Sequence, residues 1–270
     1  MFSPKRSLCT LKILTLLLLI SCAQKQKSSG YRIVSLSPAM TEILFSIGAG
    51  DRIVGVTTFC DFPSQAKAIR KVGDFSHPSI ERIIGLKPDL VIVNLPEQMR
   101  VKNELNRLKV KTFITAPNSL SGLYSEISTI GAELDFRRQA DSLVEYMKDN
   151  LRAVTPTYRK RIYVEISPKP IITVGAKTFL NDLIYRAGGV NIFSDLDRDY
   201  PVVSQETVID RNPEIINVLH PENIKGRIGW QKVTAIKNDQ VYLDLNQDHL
   251  MRPGPRLVQG FRQLLEIIHD

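Results

Sequence analysis

The stretch Ser79-Ile-Glu-Arg-Ile-Ile-Gly-Leu-Lys-Pro-Asp-Leu-Val-Ile-Val93 decides the fold, because its pattern returns 125 positions later. The second copy reads Ser204-Gln-Glu-Thr-Val-Ile-Asp-Arg-Asn-Pro-Glu-Ile-Ile-Asn-Val218. In each copy a serine suits a helix N-cap, a glutamate suits the positive first turn, and a proline ends the helix before an apolar run. The pattern therefore predicts the same helix–strand unit twice.

A second repeat supports a duplicated unit. Glu42-Ile-Leu-Phe45 precedes Gly48, and Asp182-Leu-Ile-Tyr185 precedes Gly188 at an offset of 140 residues. Apolar strands alternate with helical segments through both halves, as in open, mostly parallel sheets. Two such units favour a ligand cleft between them. The predicted fold class is α/β, with two doubly wound Rossmann-like lobes joined by a single long helix.

The predicted boundaries follow the same pattern. Residues 31–134 form the N-terminal lobe and residues 157–270 the C-terminal lobe. Residues 135–156 form the connecting helix, since apolar residues from Ala140 to Leu151 recur at spacings of three and four. Because no Gly/Ser-rich linker separates the lobes, we expect a stiff hinge with small closure motions.

Residues 1–22 are predicted to be a lipoprotein signal peptide. Basic residues precede an apolar stretch, Ile13 to Ile20, that is too short to span a membrane. Leu19-Ile-Ser-Cys22 resembles a bacterial lipobox, in which the cysteine receives diacylglycerol and becomes the first mature residue. An ordinary signal with an incidental cysteine is the alternative. Residues 23–30 are polar, as a tether should be, which predicts a lipid-anchored protein of the cell envelope, periplasmic or on the outer face of a bacterial membrane.

Charge and cysteine content narrow the function classes. Removing residues 1–21 discards three basic residues and no acidic one, so the net charge falls from +8 to +5. Basic residues form no dense block apart from Arg159-Lys-Arg161, which argues against a nucleic-acid partner. With Cys9 removed and Cys22 lipidated, only Cys60 remains, which excludes an internal disulfide and a cysteine zinc site.

The sequence does not favour an enzyme. It contains no Gly-x-Ser-x-Gly elbow, no P-loop, no His-Glu-x-x-His and no Cys-x-x-Cys. Cys60 lies in an aromatic loop with no histidine beside it in sequence, so we predict neither a catalytic residue nor a metal site. A membrane-tethered hydrolase would need a carboxylate or histidine pair that the pattern does not supply.

Several motifs carry a family resemblance over residues 31–268, and they are Arg32-Ile-Val-Ser-Leu-Ser-Pro-Ala-Met-Thr-Glu42, Asp61-Phe-Pro63, Ile80 to Ile92, Ala187-Gly-Gly-Val-Asn-Ile-Phe193, Val203-Ser-Gln-Glu206 and Arg252-Pro-Gly-Pro-Arg256. The chain resembles the lipid-anchored or periplasmic substrate-binding proteins of ABC importers for cobalamin, haem and iron-siderophores, and most of all the cobalamin binders. The resemblance implies a monomer without an intrinsic cofactor that delivers a corrinoid to the permease.

Ligand contacts can be carried over from the resemblance to Phe59, Phe75, Tyr200, Asp248 and Arg252. The chain departs from the cobalamin binders in having phenylalanine at two of these positions and Asn94 where a tryptophan would be expected. Aromatic packing on a broad macrocycle tolerates a change of ring type, since the attraction follows buried area. For Arg252 two roles stay open, because its guanidinium either reaches the ligand or pairs with a carboxylate of the cleft wall.

The repeated glutamates, Glu81 and Glu206, match the acids that dock such proteins onto the two transmembrane subunits of the permease. Each glutamate also suits a helix N-terminus on its own, and the two roles are compatible. Two separated charges would set the register of a large interface.

Two other ligands of the same family stay open. A haem binder would want an axial ligand in the cleft, and His77 or His249 could supply one. A ferric-siderophore binder would want basic residues, such as Arg252, facing an anionic chelate. Loop histidines without a metal role are the simpler interpretation of both histidines.

Overall fold

The computed structural model describes residues 30–269. The predicted signal peptide, Cys22 and nearly all of the predicted tether lie outside the described residues. Within residues 30–269, no helix is both long and apolar enough to cross a membrane.

The first sheet is wholly parallel and has four strands. Its order is β2-β1-β3-β4, so the chain starts in the middle and extends the sheet on both sides. The strands are β1 (Ile33–Ser35), β2 (Ile53–Val56), β3 (Leu90–Asn94) and β4 (Thr112–Thr115), and the helices are α1 (Pro38–Ser46), α2 (Ile80–Gly85), α3 (Met99–Arg107) and α4 (Leu120–Glu133). Short 3₁₀ helices span Gly50–Arg52 and Ser64–Ala68.

The second sheet repeats the plan with one reversed strand. Its central strand β5 pairs in parallel with β8 and β7, and in antiparallel with β6, while β9 extends the sheet beyond β8. The strands are β5 (Arg161–Pro168), β6 (Ile171–Thr173), β7 (Val190–Asn191), β8 (Ile215–Val218) and β9 (Val241–Tyr242). The helices are α6 (Phe179–Arg186), α7 (Gln205–Arg211), α8 (Thr234–Lys237), α9 (Gln247–Met251) and α10 (Leu257–His269), with a 3₁₀ turn at Trp230–Lys232.

The repeated motif forms the predicted helix–strand unit in both sheets. The hydroxyl of Ser79 accepts from the backbone N–H of Arg82 at the start of α2, and that of Ser204 accepts from Thr207 at the start of α7. Strands β3 and β8 follow and are almost wholly buried. The second repeat is also structural, because Gly48 and Gly188 both follow a helix with positive φ, 91° and 93°, which glycine adopts without strain. The predicted two-sheet α/β class is thereby confirmed.

Helix α5 (Arg137–Asn150) connects the two sheets. It is shorter than the predicted connecting segment, because the chain leaves the helix at Leu151 and continues without regular structure to Arg161. Its apolar face, with Ala140, Val144 and Met147, belongs to one hydrophobic core that includes residues of both sheets. A shared, close-packed core resists relative motion of its two sides, which agrees with a stiff hinge.

Candidate functional site

The carboxyl ends of the parallel strands carry the loops on which the ligand residues were predicted. In open α/β sheets, ligands bind beside these ends. The segment 252–256 brings the two sets of loops together. A Cβ on Gly254 would lie 3.4 Å from the carbonyl oxygen of Ala39 in α1, and the Arg256 guanidinium lies 4.3 Å from the ring centroid of Phe62, which follows β2. The two lobes therefore meet here.

A buried acid anchors this contact. Glu42 is only 2% exposed, although it sits on α1 among apolar residues. Its carboxylate accepts hydrogen bonds from Arg256 Nε at 2.9 Å and from Nη2 at 2.6 Å. The hydrogen bond to Glu42 raises the pKa of Arg256, although burial opposes that change. A carboxylate at this depth is tolerated because its charge is paired and hydrogen-bonded.

Arg252 is held by three carboxylates. Its Nη1 lies 2.7 Å from Asp61 Oδ1 and 3.4 Å from Glu42 Oε1, and its Nη2 lies 3.0 Å from Asp248 Oδ1. Burial raises the pKa of Asp61, but the hydrogen bond and charge of Arg252 outweigh burial, so that pKa lies below its usual range. We name Glu42, Asp61, Asp248, Arg252 and Arg256 the inter-lobe ion cluster.

Of the two roles considered for Arg252, contact with the ligand or pairing with carboxylates, the ion cluster shows the second. Pairing with carboxylates of the cleft wall is what the described contacts show, while its contact with a ligand stays a prediction. Asp248 lies in the first turn of α9, where Asn246 caps the helix, and its carboxylate also lies 3.7 Å from Arg256. Its predicted role toward a ligand likewise stays a prediction.

The three predicted aromatic residues lie on loops at the carboxyl edges of the two sheets. Phe59 follows β2 and is 55% exposed, an unusual exposure for a residue with no polar atom in its side chain. Tyr200 lies on the other lobe, in the loop before α7, and is 45% exposed. Phe75 is half-buried. Exposed aromatic surface of this kind is available to pack against a flat apolar ligand.

The phenol of Tyr200 has a raised pKa. Desolvation, followed by the charges of Asp199 and Glu97, raises the pKa of Tyr200 to about 12. The phenol is therefore neutral at physiological pH and can donate a hydrogen bond.

Gln98 is a functional candidate that the sequence did not predict. It is 1% exposed, and its Nε2 donates to the carbonyl oxygens of Leu36 at 3.1 Å and Phe75 at 2.8 Å. Its Oε1 accepts from the backbone N–H of Asn94 at 2.9 Å. One amide therefore fixes three loops at the edge of the first sheet. Hydropathy periodicity cannot identify such a residue, since the pattern shows only that Gln98 is polar.

The histidines differ in their surroundings. The side chain of His77 is 84% exposed and its Nδ1 lies 3.4 Å from the carboxylate of Asp74. His249 is partly buried, which lowers its pKa, and its Nδ1 is buried without a partner among the described residues. His220 pairs with the buried carboxylate of Glu165 at 2.8 Å. Within residues 30–269, no group of three or more His, Cys, Asp or Glu side chains could hold a metal ion.

Cys60 is 1% exposed. Its Sγ lies 3.3 Å from Thr57 Oγ1 and 3.9 Å from the carbonyl oxygen of Ser35. The thiol therefore packs inside the first lobe, and a reactive thiol would instead need a partly exposed, electropositive setting.

The repeated glutamates occupy matching places. Glu81 and Glu206 are exposed in the first turns of α2 and α7, which both begin on the carboxyl side of their sheets. The backbone N–H of Glu206 and the hydroxyl of Ser204 donate to the Glu206 carboxylate and hold its pKa below the usual range. Both acids are thus exposed, and their role in docking stays a prediction.

Comparison with known proteins identifies substrate-binding proteins as relatives of this chain. The model of the family described as "Periplasmic binding protein" matches residues 33–247. A Bacillus subtilis protein called an uncharacterized ABC transporter substrate-binding lipoprotein, YvrC, is 32% identical, with the match covering 90% of this chain and 81% of that protein.

Two solved structures are similar over most of their length. A possible iron-binding (periplasmic solute-binding) protein of Staphylococcus epidermidis is 32% identical with a TM-score of 0.78, covering 89% of this chain and 99% of that one. The periplasmic vitamin B12 binding protein BtuF of Vibrio cholerae is 29% identical with a TM-score of 0.72, covering 87% and 95%.

These comparisons confirm the family resemblance, the two-lobed fold and the prediction that the chain is not an enzyme, since this family consists of solute-binding proteins. Proteins of this kind lie outside the cytoplasm, bind small molecules and work with permease subunits. The chain belongs to the periplasmic binding protein family, as a substrate-binding protein of an ABC importer of the cobalamin, haem and siderophore group.

Proposed function

We propose that the protein captures a corrinoid such as cobalamin and delivers it to its permease. The observation that carries the proposal is the pair of exposed aromatic side chains, Phe59 and Tyr200, on loops of opposite lobes. A corrin ring is broad and partly apolar, so two such side chains could pack against it. Similarity to a vitamin B12 binding protein supports the same ligand class.

The polar surroundings suit the amide groups at the periphery of a corrinoid. The neutral phenol of Tyr200 can donate to an amide oxygen, and Asp248 can accept from an amide nitrogen. Phe75 adds apolar surface beside them, and Arg252 adds a donor at the edge of the ion cluster. Binding is non-covalent, with little closure of the lobes.

The organisation of the chain completes the proposal. The lobes span residues 31–134 and 157–270, with the connector at 135–156. A monomer is anchored through a lipid on Cys22 and held by the tether 23–30 at the outer face of a membrane or in the periplasm. Glu81 and Glu206 dock its two lobes onto the two transmembrane subunits.

The second candidate ligand is haem or a ferric siderophore. Similarity to a possible iron-binding protein of Staphylococcus epidermidis favours it. Of the two histidines predicted as axial ligands, His77 has the open ring, whereas the Nδ1 of His249 is buried. His77 is therefore the more accessible of the two as an axial ligand.

Calorimetric titration tests the proposal. The full chain, purified in detergent, is titrated with cyanocobalamin and then with haemin, each corrected for binding to micelles alone. We expect a submicromolar Kd, roughly 8 kcal/mol or more of binding free energy, for cyanocobalamin. A Soret shift with haemin and no heat with cyanocobalamin would favour the second candidate, and silence with both would point to a siderophore.

A further inference from the structure

In each lobe an exposed apolar side chain follows the strand of the repeated motif. Met99, in the first turn of α3 after β3, is 44% exposed, and Ile228, in the loop after β8, is 95% exposed. Single exposed apolar residues are common on protein surfaces and by themselves indicate nothing. These two residues lie in corresponding places of a duplicated unit, which points to a shared use.

The position of Ile228 is fixed by its neighbours in the chain. Arg227 Nη1 and Nη2 lie 2.7 and 2.6 Å from the two carboxylate oxygens of Glu165, which is fully buried. Trp230 is also fully buried, and the Arg227 guanidinium lies 5.0 Å from its ring centroid. Between them, Gly229 has a φ of 84°, a backbone conformation that favours glycine. Ile228 therefore projects into water from a turn whose two flanks are anchored in the second lobe.

Met99 is anchored in a comparable way. It directly follows Gln98, whose buried amide donates to the carbonyl oxygen of Leu36 at the end of β1. Glu165, which holds the turn of Ile228, lies in β5. In both lobes the anchor thus reaches the first strand of its sheet in chain order. A side chain that is already held in place loses less conformational freedom on binding, which favours association.

Ile228 lies beside the helix that carries Glu206. A Cβ on Gly229 would lie 3.2 Å from Cδ1 of Ile209, a residue of α7. Ile209 comes three positions after Glu206, so the two are neighbours on one side of the helix. The exposed acid and the exposed apolar side chain therefore belong to the same part of the surface.

Met99 lies beside the helix that carries Glu81. Helices α2 and α3 pack against each other, and Ile84 and Val101 join one hydrophobic cluster between them. Helix α2 leads into β3 and α3 leaves it, so both helices begin at the carboxyl edge of the first sheet. Their first turns, with Glu81 and Met99, are therefore at the same edge of this lobe.

We propose that Met99 and Ile228 dock the protein onto its permease together with Glu81 and Glu206, each apolar side chain entering an apolar recess beside a basic group on one transmembrane subunit. The inference rests on the proposed function and extends its docking surface. An exposed acid pairs with a cation, and an apolar side chain seated beside that pair excludes water from it. Two corresponding pairs on two lobes fit a partner built from two similar subunits.

The test measures binding of the ligand-free full chain to the permease, co-purified with the wild-type chain from native membranes and then held in lipid nanodiscs. We expect Met99→Ala and Ile228→Ala each to raise the Kd for the permease about tenfold, because each removes most of an apolar side chain from the contact. Ile228→Leu, which keeps the apolar area, should retain a Kd close to that of wild type. Leu108→Ala is the matched control, since that leucine is 54% exposed at the opposite end of α3.

A permease Kd that is unchanged in either alanine variant would overturn the inference and leave corrinoid capture intact. Weaker cyanocobalamin binding at an unchanged permease Kd would assign the side chain to the ligand and overturn it as well. A wild-type dimer that Ile228→Ala dissociates, at an unchanged permease Kd, would likewise overturn it in favour of self-association.

The ligand-free measurement keeps the two proposals separate. If wild type binds the permease and not cyanocobalamin, the corrinoid proposal fails, while the alanine variants still decide the inference. If wild type does not bind the permease, the inference falls together with the docking part of the proposed function.

Discussion

Glu42 and Arg256, 214 positions apart in the chain, form an ion pair with two hydrogen bonds that joins the first helix of one lobe to the segment before the last helix of the other. The side chains are 2% and 11% exposed. Water therefore screens this pair little, and each charge depends on its partner.

Removing Glu42 should be strongly destabilising. In Glu42→Ala the guanidinium of Arg256 stays largely buried without its main counter-charge, so we expect a loss of about 3 kcal/mol in the free energy of unfolding, measured in urea. Glu145→Ala, which breaks a surface pair with Lys148, should cost less than about 1 kcal/mol. A similar loss in both variants would contradict the importance of the buried pair.

The stability contributed by Asp61 should depend on pH. Its pKa is lower in the folded protein than the usual value, so its contribution is fully present above the unfolded pKa of about 3.9 and disappears as pH falls through the folded value. The difference in unfolding free energy between wild type and Asp61→Asn should be largest near about pH 7 and shrink toward about pH 3. A difference that grows on acidification would show that folding raises the pKa of Asp61 instead of lowering it.

Truncating the exposed aromatic residues should weaken ligand binding. Tyr200→Ala, Phe59→Ala and Phe75→Ala should each reduce the affinity for cyanocobalamin by about 1 to 3 kcal/mol if the rings pack on it. Tyr146→Ala is the control, because that tyrosine is 49% exposed on the connecting helix. Unchanged affinity in the three test variants would return these side chains to a purely structural role.

Charge reversal should separate docking from capture. The double variant Glu81→Lys/Glu206→Lys should abolish uptake of labelled cobalamin into cells while leaving its Kd in calorimetry unchanged, because both acids are exposed in helix first turns. Glu145→Lys on α5 is the control for surface charge. Loss of ligand binding in the double variant would contradict the assignment of Glu81 and Glu206 to docking.

Replacing Gln98 should loosen the loop edge of the first lobe. In Gln98→Met, which keeps a similar volume, the carbonyl oxygens of Leu36 and Phe75 lose their donor. We expect a loss of about 1 to 3 kcal/mol in unfolding free energy, together with weaker cyanocobalamin binding. Stability equal to that of wild type would indicate that water replaces the amide.

Much of the fold could be predicted from local pattern. The helix starts at Ser79 and Ser204 rest on short-range capping, and the strands after them rest on short apolar runs, so a few neighbouring residues specify each element. The connecting helix was predicted too long. It ends at Asn150, because the segment that follows pairs with the second lobe, where the backbone N–H of Val154 donates to the carbonyl oxygen of Arg186.

The candidate site could be predicted only in part. Exposed aromatic residues on loops were located through the family resemblance, but Glu42 and Gln98 were not assigned any role. Both are buried polar residues whose partners lie far away in the chain, at Arg256 and at Phe75. Periodicity shows where a side chain is polar, and it does not show what the side chain meets.

The sequence by itself determined the two α/β units, the order of their elements and the places of the repeated glutamates, because those features depend on capping, hydropathy and turn chemistry within about ten residues. Only the tertiary structure decided that Arg252 and Arg256 are neutralised by Glu42, Asp61 and Asp248. The physical reason is that the charge a guanidinium presents depends on which carboxylates lie within a few ångströms of it, and folding brings two of these three, Glu42 and Asp61, from the opposite lobe.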